Sequence, residues 1–469
     1  MSEVGRSHIG NSSWWGAHLL GRGSADGVWA ISRATVTRAE LRWKVGELQC
    51  AFHEQGIGRG STAVLRMAPS FTLLQALFAL WSCGAQVILV DFRLKPAEHE
   101  PLVELLEPQY VVSSGDGGPI VGFRDEADFV VQRRPSGRCN HTDVCLVQFS
   151  SGSTGKPKVI GRSPDALLAE LDRFAALDGM PGKGDRLILL NSVIHTMGLV
   201  SGVLHALNAE TTVVLPPSMQ PSDVLRVAAE TKACAIFGVP LHFDLLCRAK
   251  NTPDISSLRL AVSAGEQLSL ETYERFRYLY HLPISPVYGT TEVGIIASDL
   301  AGTHPPPSVG VPAPGIDVKV VDQELYVRMD RSPYLYIDRS GRFVDGWLRT
   351  FDRFEQDPYT GVLSILGRAD SVVVIGGVKI DLTEVEAVLV RHPGVAEAVV
   401  VFGEVIEAFV AADSRVEVNE LTTWCRDRLS SVKIPKRFFV GLDLPRNPNG
   451  KLIRDRDSMH IAYAESVPH

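Results

Sequence analysis

The sequence lacks the features that mark several protein classes. It has no CxxC pair, no cysteine–histidine cluster with zinc spacing, no internal repeat and no low-complexity tract. Its seven cysteines are too dispersed for a disulfide framework. These absences exclude the small metal-binding, disulfide-rich and repeat classes, and they predict a reducing, cytoplasmic location.

Charge of either sign is also scarce. Only 22% of the 469 residues are charged, and the net charge is −7. This balance argues against nucleic acid as a partner, because binding through bulk charge needs a basic surface. The hydrophobic content of 45% excludes a disordered chain, and the length exceeds the ~250–300 residues that one core holds. We therefore expect at least two domains, and any anionic ligand would need a local cluster of donors.

Secretion and membrane signals are weak. The N-terminal residues show no basic stretch followed by an apolar one, so secretion is not expected. The uncharged run 67–90 is long enough to cross a bilayer core of ~30 Å as a helix. Pro69, Gln75 and Gly84 interrupt this run, and its last part is β-branched. We predict a buried helix and a buried strand here, with a membrane span as the alternative.

Helical and strand patterns alternate over roughly the first 300 residues, which is typical of an α/β fold with a largely parallel sheet. A proline-rich stretch after Gly302 precedes segments that alternate like antiparallel strands. The predicted fold class is α/β, with a large N-terminal domain (1–369) of parallel-rich α/β layers that includes a small β-barrel-like part. A small α+β C-terminal domain (370–469) follows.

One segment supplies the expected cluster of donors. After the apolar run 144–149 come Ser150, Ser151, Gly152, Ser153, Thr154, Gly155, Lys156, Pro157 and Lys158. Glycines let backbone N–H groups converge on an anion, while hydroxyls and lysines add donors and charge, so this loop suits a polyphosphate. Its spacing differs from a Walker A loop, and the alternative is a serine- and glycine-rich surface turn. The sequence has no GxSxG elbow, which disfavours a serine hydrolase.

This loop and four later motifs resemble, in order, the signature motifs of the adenylate-forming (ANL) superfamily. The later motifs are 287–292 (VYGTTE), 346–352 (GWLRTFD), 367–370 (GRAD) and 448–451 (PNGK). The superfamily includes acyl-CoA and aryl-CoA ligases, carrier-protein adenylation domains and luciferases. The resemblance implies a mobile C-terminal lid that turns about a hinge at Asp370.

The resemblance also implies roles for individual residues. Thr291 and Glu292 combine a hydroxyl and a carboxylate, which suit a phosphate oxygen and its Mg²⁺; the alternative is a capped helix start. Lys451 would bridge the attacking carboxylate and the α-phosphate, and the alternative is a simple turn lysine. The nucleotide would also contact Ala264, Gly265, Glu266, Tyr288, Gly289, Thr290, Asp352 and Arg368. Asp352 would accept from the ribose hydroxyls, and Arg368 would reach the same sugar or the phosphate. Gly376 and Gly377 would line the thiol channel, and the alternative is a hairpin turn.

The acid-binding segment 191–199 resembles the histidine-containing form typical of acyl-CoA and aryl-CoA ligases. His195 stands among apolar residues, which favours an acid without an α-ammonium group; the alternative is a packed core histidine. The other predicted pocket residues are Phe237, Gly238, Val239, Val293 and Gly294. Small residues at Gly238 and Gly294 leave room for a ring or another bulky acyl group.

Three positions depart from the family pattern. Val159 and Phe351 replace usual glycines, and the stretch 334–337 lacks the usual glycine–tyrosine pattern. These departures indicate a specialised, biosynthetic branch, in which thiolation could be weakened or passed to another protein.

The sequence thus predicts an AMP-forming acid–thiol ligase that uses ATP, Mg²⁺ and CoA to activate a bulky, aryl or alicyclic carboxylic acid. One alternative is an adenylating enzyme that delivers the acyl group to a carrier protein, a partner ligase or an amine. Another is a non-catalytic binding protein on a ligase scaffold. We expect a monomer or homodimer, with neither nucleic acid nor membrane as a partner.

Overall fold

The structure is a computed structural model that describes residues 14–94, 96–114, 122–150, 158–250, 253–335, 341–368, 371–375, 378–413, 415–429, 431–447 and 450–466. These residues fall into two compact units. The first comprises Met1–Ser150, Val159–Ile316 and Arg331–Arg339, and the second comprises Ser151–Lys158, Asp317–Asp330 and Ser340–His469.

Helices and strands alternate up to residue 316. The helices are α1 (Ala17–Gly21), α2 (Arg38–Glu54), α3 (Phe71–Ser82), α4 (Pro96–Leu106), α5 (Pro164–Ala175), a π-helix (Met197–Leu204), α6 (His205–Asn208), α7 (Pro221–Thr231), α8 (Pro240–Cys247) and α9 (Leu270–Tyr280). The strands are β1 (Val28–Ile31), β2 (Thr35–Thr37), β3 (Thr62–Arg66), β4 (Gln86–Leu89), β5 (Tyr110–Ser113), β6 (Val130–Arg133), β7 (Leu146–Ser150), β8 (Lys158–Arg162), β9 (Arg186–Leu189), β10 (Thr212–Val214), β11 (Ala235–Gly238), β12 (Leu260–Ala264), β13 (Ile284–Thr290), β14 (Gly294–Ser298) and β15 (Ser308–Pro312).

These strands form two sheets. One has the order β6-β5-β3-β4-β7-β8, and the other runs β2-β1-β10-β9-β11-β12-β13-β14-β15. In the second of these sheets, neighbouring strands are parallel in the stretch β1-β10-β9-β11-β12-β13. The pairs β13–β14 and β14–β15 are antiparallel. Strands such as β4 and β11 are buried along their whole length, as expected for parallel strands with both faces covered. The predicted parallel-rich α/β architecture is confirmed.

The uncharged run 67–90 forms a core helix and a core strand. All residues of α3 are buried, and the Ser70 side chain caps the helix by accepting from the N–H of Leu73. Gly84 turns the chain at φ +79°, and β4 follows. In the part of the chain that the structure describes, no helix is long and apolar enough to span a bilayer. The prediction of a buried helix and strand is confirmed.

The second unit begins with an open antiparallel sheet. Its strands are β16 (Val318–Val321), β17 (Glu324–Arg328), β18 (Phe343–Val344), β19 (Trp347–Gln356) and β20 (Leu363–Arg368). Their order is β16-β17-β19-β20, with β18 paired to β19. Among the described strands β16 pairs with β17 alone, so the sheet does not close on itself. The expectation of a β-barrel-like part is therefore corrected to an open sheet.

The C-terminal residues form the expected α+β arrangement. The strands are β21 (Val372–Ile375), β22 (Val378–Asp381), β23 (Val395–Phe402), β24 (Ile406–Ala412) and β25 (Arg437–Gly441), and the helices are α10 (Leu382–Val390), α11 (Val418–Arg426) and α12 (Arg456–Ser466). β21 and β22 form a hairpin, while β23, β24 and β25 form a sheet. A separate apolar core, which includes Val385, Leu389 and Leu421, lies between this sheet and α10 and α11.

Candidate active site

The predicted phosphate loop lies between two paired strands. β7 ends at Ser150, as expected for a loop that follows a strand, and its neighbour β8 begins at Lys158. Ser151, Gly152, Ser153, Thr154 and Gly155 lie outside the described residues, as does the side chain of Ser150. Lys158 is half-buried. The roles of these residues remain predictions.

Two predicted nucleotide-binding segments lie side by side at the carboxyl ends of β12 and β13. Ala264 ends β12 and pairs with Val287, next to Tyr288 on β13. Gly265 follows at φ +98°, and Glu266 comes directly after it. Ligands of open α/β sheets bind at such strand ends, so the position suits a nucleotide base.

Thr290 ends β13, and the turn between β13 and β14 carries Thr291 and Glu292. A Cβ atom on Gly289 would lie 2.3 Å from the carbonyl oxygen of Gly294, so the close approach of the two strands requires glycine there. Within the described residues the Thr290 hydroxyl is buried without a hydrogen-bond partner. Such an orphan group is uncommon in a folded protein and suits a site that receives a polar ligand.

Glu292 is buried, at 8% exposure, and accepts a hydrogen bond of 3.1 Å at Oε1 from the hydroxyl of Tyr334. Tyr334 reaches Glu292 because its backbone forms a β-bridge with Ile160 of β8. The described residues contain no cluster of three or more histidine, cysteine, aspartate or glutamate side chains that could hold a metal ion. A single buried carboxylate instead fits a magnesium ion that takes its other ligands from phosphate and water.

The predicted acid-binding segment is attached to β7 by Gln148. Gln148 of β7 is buried, and its Nε2 donates to the carbonyl of Ile194 at 2.8 Å. Its Oε1 accepts from the hydroxyl of Thr196 at 3.1 Å. His195, which lies between these two residues, is half-buried just before the π-helix. Sequence reasoning missed Gln148, although a polar residue inside the apolar run 144–149 was an available signal.

The other predicted pocket residues occupy the ends of neighbouring strands. The carbonyl of Phe237 accepts from Leu190 N–H at 2.8 Å, which brings the segment after β9 beside the end of β11. The Phe237 side chain itself is fully buried in the core. Gly238 and Val239 follow, and the Val239 N–H donates to Nδ1 of His242 at 3.1 Å. Burial lowers the pKa of His242 to about 4, so this imidazole is neutral at pH 7. Val293 is buried, and Gly294 begins β14 at φ +84°.

In the second unit, Asp352 and Arg368 form a cross-strand pair. They are directly opposite each other on β19 and β20, and Nη1 of Arg368 donates to Oδ1 of Asp352 at 2.9 Å. Asp352 is 8% exposed, and its N–H donates to the Thr350 hydroxyl at 3.1 Å. The two motifs that contain these residues are thus adjacent in space.

Lys451 lies on a turn that its neighbours hold firmly. Its N–H donates to Oδ1 of Asn447 at 3.0 Å, and the N–H of Asn447 donates to the carbonyl of Lys451 at 2.7 Å. Arg446 donates to the carbonyl of Gly450 at 2.7 Å and pairs with Glu397. The Lys451 side chain is half-buried. Asp370, Gly376 and Gly377 lie outside the described residues, so the hinge and thiol channel remain predictions.

Comparison with protein families gives two matches in order along the chain. The family described as "AMP-binding enzyme" matches residues 25–340, and the family described as "AMP-binding enzyme C-terminal domain" matches residues 384–451.

Similar proteins include several acid–CoA ligases. A 2-succinylbenzoate–CoA ligase of Bacillus licheniformis is 28% identical over 86% of this chain and 90% of its own length. A 4-chlorobenzoate–CoA ligase of an Arthrobacter species is 26% identical over 89% of each chain. An anthranilate–CoA ligase of Pseudomonas aeruginosa is 30% identical over 69% of each chain.

Solved structures share the fold. An O-succinylbenzoate coenzyme A synthetase of Bacillus subtilis in complex with AMP superposes with a TM-score of 0.78 at 25% identity, over 94% of this chain and 97% of that one. ATP-bound MatB of Rhodopseudomonas palustris gives a TM-score of 0.82 at 19% identity, over 97% of this chain and 100% of that one.

Proposed function

Because the chain belongs to the AMP-binding enzyme family, we propose that it activates a carboxylic acid with ATP and transfers the acyl group to CoA. The observation that carries this proposal is the match of both family segments, together with relatives along most of the chain that are acid–CoA ligases. A carboxylate oxygen attacks the α-phosphorus of ATP, and the bond to pyrophosphate breaks. The CoA sulfur then attacks the acyl carbon, loses its proton to solvent and displaces AMP.

The first step concentrates negative charge at phosphorus, and placed donors and cations stabilise it. The loop Ser150–Gly155 and Lys158 hold the phosphates, and Thr291 donates its hydroxyl to a phosphate oxygen. Glu292 would provide an oxygen ligand for Mg²⁺, while its Oε1 accepts from the hydroxyl of Tyr334. When bound, the magnesium ion neutralises phosphate charge.

The remaining groups orient the nucleotide and the acid. Asp352 accepts from the ribose hydroxyls, while Arg368 holds the carboxylate of Asp352 in place from the adjacent strand. Lys451 supplies the cation that stabilises the charge shared by the attacking carboxylate and the α-phosphate. Asp370 serves as the hinge of the C-terminal lid, and Gly376 and Gly377 admit the thiol.

We propose an aryl or other bulky acid as the substrate. His195 lies in an apolar segment, and the relatives act on 2-succinylbenzoate, 4-chlorobenzoate and anthranilate. A cytoplasmic location fits this chemistry, since all seven cysteines are free thiols. We propose a monomer or homodimer.

Acid-dependent exchange of labelled pyrophosphate into ATP tests the function. We expect exchange with at least one acid from a panel of benzoate, 4-chlorobenzoate, 2-succinylbenzoate, cyclohexanecarboxylate and octanoate, and little with acetate. Adding CoA should give the thioester and AMP. Exchange without thioester formation would favour delivery to a carrier protein or an amine, and no exchange with any acid would contradict the proposal.

A further inference from the structure

A buried ion pair lies behind the turn that carries Thr291 and Glu292. Arg162 ends β8, and Glu170 lies on α5, eight residues later. Their Nη2 and Oε2 atoms are 2.6 Å apart, and each side chain is only 2% exposed. Taking both charges out of water costs several kcal/mol for each ion. A contribution to the stability of the fold therefore does not by itself explain why this ion pair is buried here.

The pair contacts the backbone of the turn. Nη1 of Arg162 donates to the carbonyl of Thr291 at 3.4 Å. On the far side of Glu292, Nη2 of Arg173, also on α5, donates to the carbonyl of Val293 at 3.4 Å. Both contacts are long, but a charged donor strengthens each of them. The carbonyl groups on either side of the Glu292 residue are therefore held by arginines.

Glu170 also fits closely against the end of the turn. A Cβ atom on Gly294 would lie 2.1 Å from the carboxyl carbon of Glu170, and Gly294 adopts φ +84°. The turn therefore has glycine where the carboxylate lies against its backbone. This close fit fixes the turn relative to α5, while Arg162 connects the same turn to β8.

We infer that Arg162 and Glu170 are positioning residues for the adenylation step. The inference rests on the proposed function, because it concerns the residues that handle phosphate and magnesium. The planar guanidinium of Arg162 donates hydrogen bonds to both the Glu170 carboxylate and the Thr291 carbonyl. It thereby holds Thr291 and Glu292 in a fixed orientation beside β8. Neither Arg162 nor Glu170 touches the reacting atoms.

The double variant Arg162→Met/Glu170→Met separates positioning from stability. An apolar pair of similar volume often stabilises a protein as well as a buried ion pair does, so the unfolding midpoint should stay near the wild-type value. A displaced turn should lower kcat for pyrophosphate exchange roughly 10- to 100-fold. KM for the acid should change less than about twofold, because the acid segment is held separately by Gln148.

A matched control is the exposed pair of α7. Arg226 and Glu230 are 3.1 Å apart at side-chain exposures of 54% and 60%, and Arg226→Met/Glu230→Met should leave kcat and KM unchanged. Exchange by the wild type tests the proposed function, whereas the ratio of variant to wild type tests the inference. A folded double variant with wild-type kcat would overturn the inference.

A second variant covers the case in which the double variant fails to fold. Arg173→Met keeps the Arg162–Glu170 pair, and it removes the donor to the Val293 carbonyl together with a positive charge near Glu170. We expect this variant to lower kcat by several-fold with KM for the acid unchanged. Unchanged kcat in Arg173→Met would then count against the inference.

Discussion

At the scale of single residues, Phe351 shows how β19 keeps a left-handed residue where the family pattern has a glycine. Phe351 adopts φ +62°, a left-handed conformation that disfavours a side chain. The guanidinium groups of Arg342 and Arg349 lie 4.2 and 4.5 Å from the centre of its ring. Cation–π attraction therefore offsets the backbone strain, and Asp352 retains its place opposite Arg368.

Two substitutions of Phe351 separate strain from ring contacts. Phe351→Gly and Phe351→Ala both remove the aromatic ring. Only the alanine variant keeps a Cβ atom, which makes the positive φ at this position strained. We expect the glycine variant to be more stable than the alanine variant by about 1 kcal/mol in urea unfolding, because glycine adopts positive φ without strain. An alanine variant as stable as the glycine variant would show that the conformation carries no strain.

The roles predicted for single residues remain predictions, but some of those residues lie next to each other because their strands pair. Asp352 and Arg368 lie in recognisable motifs, and strand pairing makes them adjacent. The contact between Tyr334 and Glu292 spans 42 residues. It depends on how the segment that contains Tyr334 pairs with β8, and no local pattern specifies that pairing.

At the scale of secondary-structure elements, α12 is fastened to its sheet by one buried carboxylate. Glu407 of β24 is fully buried and accepts from Arg437 on β25 at 2.9 Å. It also accepts from Arg456 at 3.0 Å and from His460 at 2.8 Å, both on α12. Burial alone would raise the pKa of Glu407, but hydrogen bonds from Arg456 and His460 outweigh it and leave the pKa below its ordinary value.

This cluster predicts a pH-dependent stability of the second unit. A lowered pKa in the folded state means that the stabilisation is present above the unfolded pKa of about 4.3 and is lost as pH falls through the folded value. Glu407→Gln should cost about 1.5–3 kcal/mol at pH 7, since it removes the charge from a buried acceptor whose partners Arg437, Arg456 and His460 are one-third to one-half exposed.

The measurement is urea unfolding between about pH 7 and pH 3. Stability should fall more steeply with acid in the wild type than in Glu407→Gln. The exposed Glu355→Gln on β19 serves as the control and should match the wild type. Equal slopes in the wild type and Glu407→Gln would refute a role for this carboxylate in acid sensitivity.

Element types were predictable where periodicity is strong, as in the buried helix α3 and strand β4. The π-helix Met197–Leu204 was not foreseen, because its apolar run has no signature that separates it from an α-helix. The barrel-like expectation failed for a related reason. Alternation predicts antiparallel strands, but closure depends on which edges meet.

At the scale of the whole molecule, two units each have their own core. The second unit gathers Asp317–Asp330 with Ser340–His469, a grouping that comes from the pairing of β17 with β19. The length of the sequence alone indicates more than one domain. It does not indicate that β17 and β19, which are distant in the sequence, pair with each other. A hinge at Asp370 stays a prediction.

The net charge of −7 by itself says little about the ligand. A few placed groups would meet the phosphates instead: the loop from Ser150 to Lys158, the Thr291–Glu292 turn and Lys451. We propose that Lys451 acts in forming the acyl-adenylate.

Pyrophosphate exchange by Lys451→Ala tests the role of Lys451 in adenylate formation. Its control is Lys436→Ala, which removes an exposed lysine of the same unit. We predict that Lys451→Ala lowers acid-dependent exchange by about 10²- to 10³-fold while nucleotide binding is nearly unchanged, and that Lys436→Ala behaves like the wild type. Exchange at the wild-type rate in Lys451→Ala would contradict a role for Lys451 in forming the acyl-adenylate.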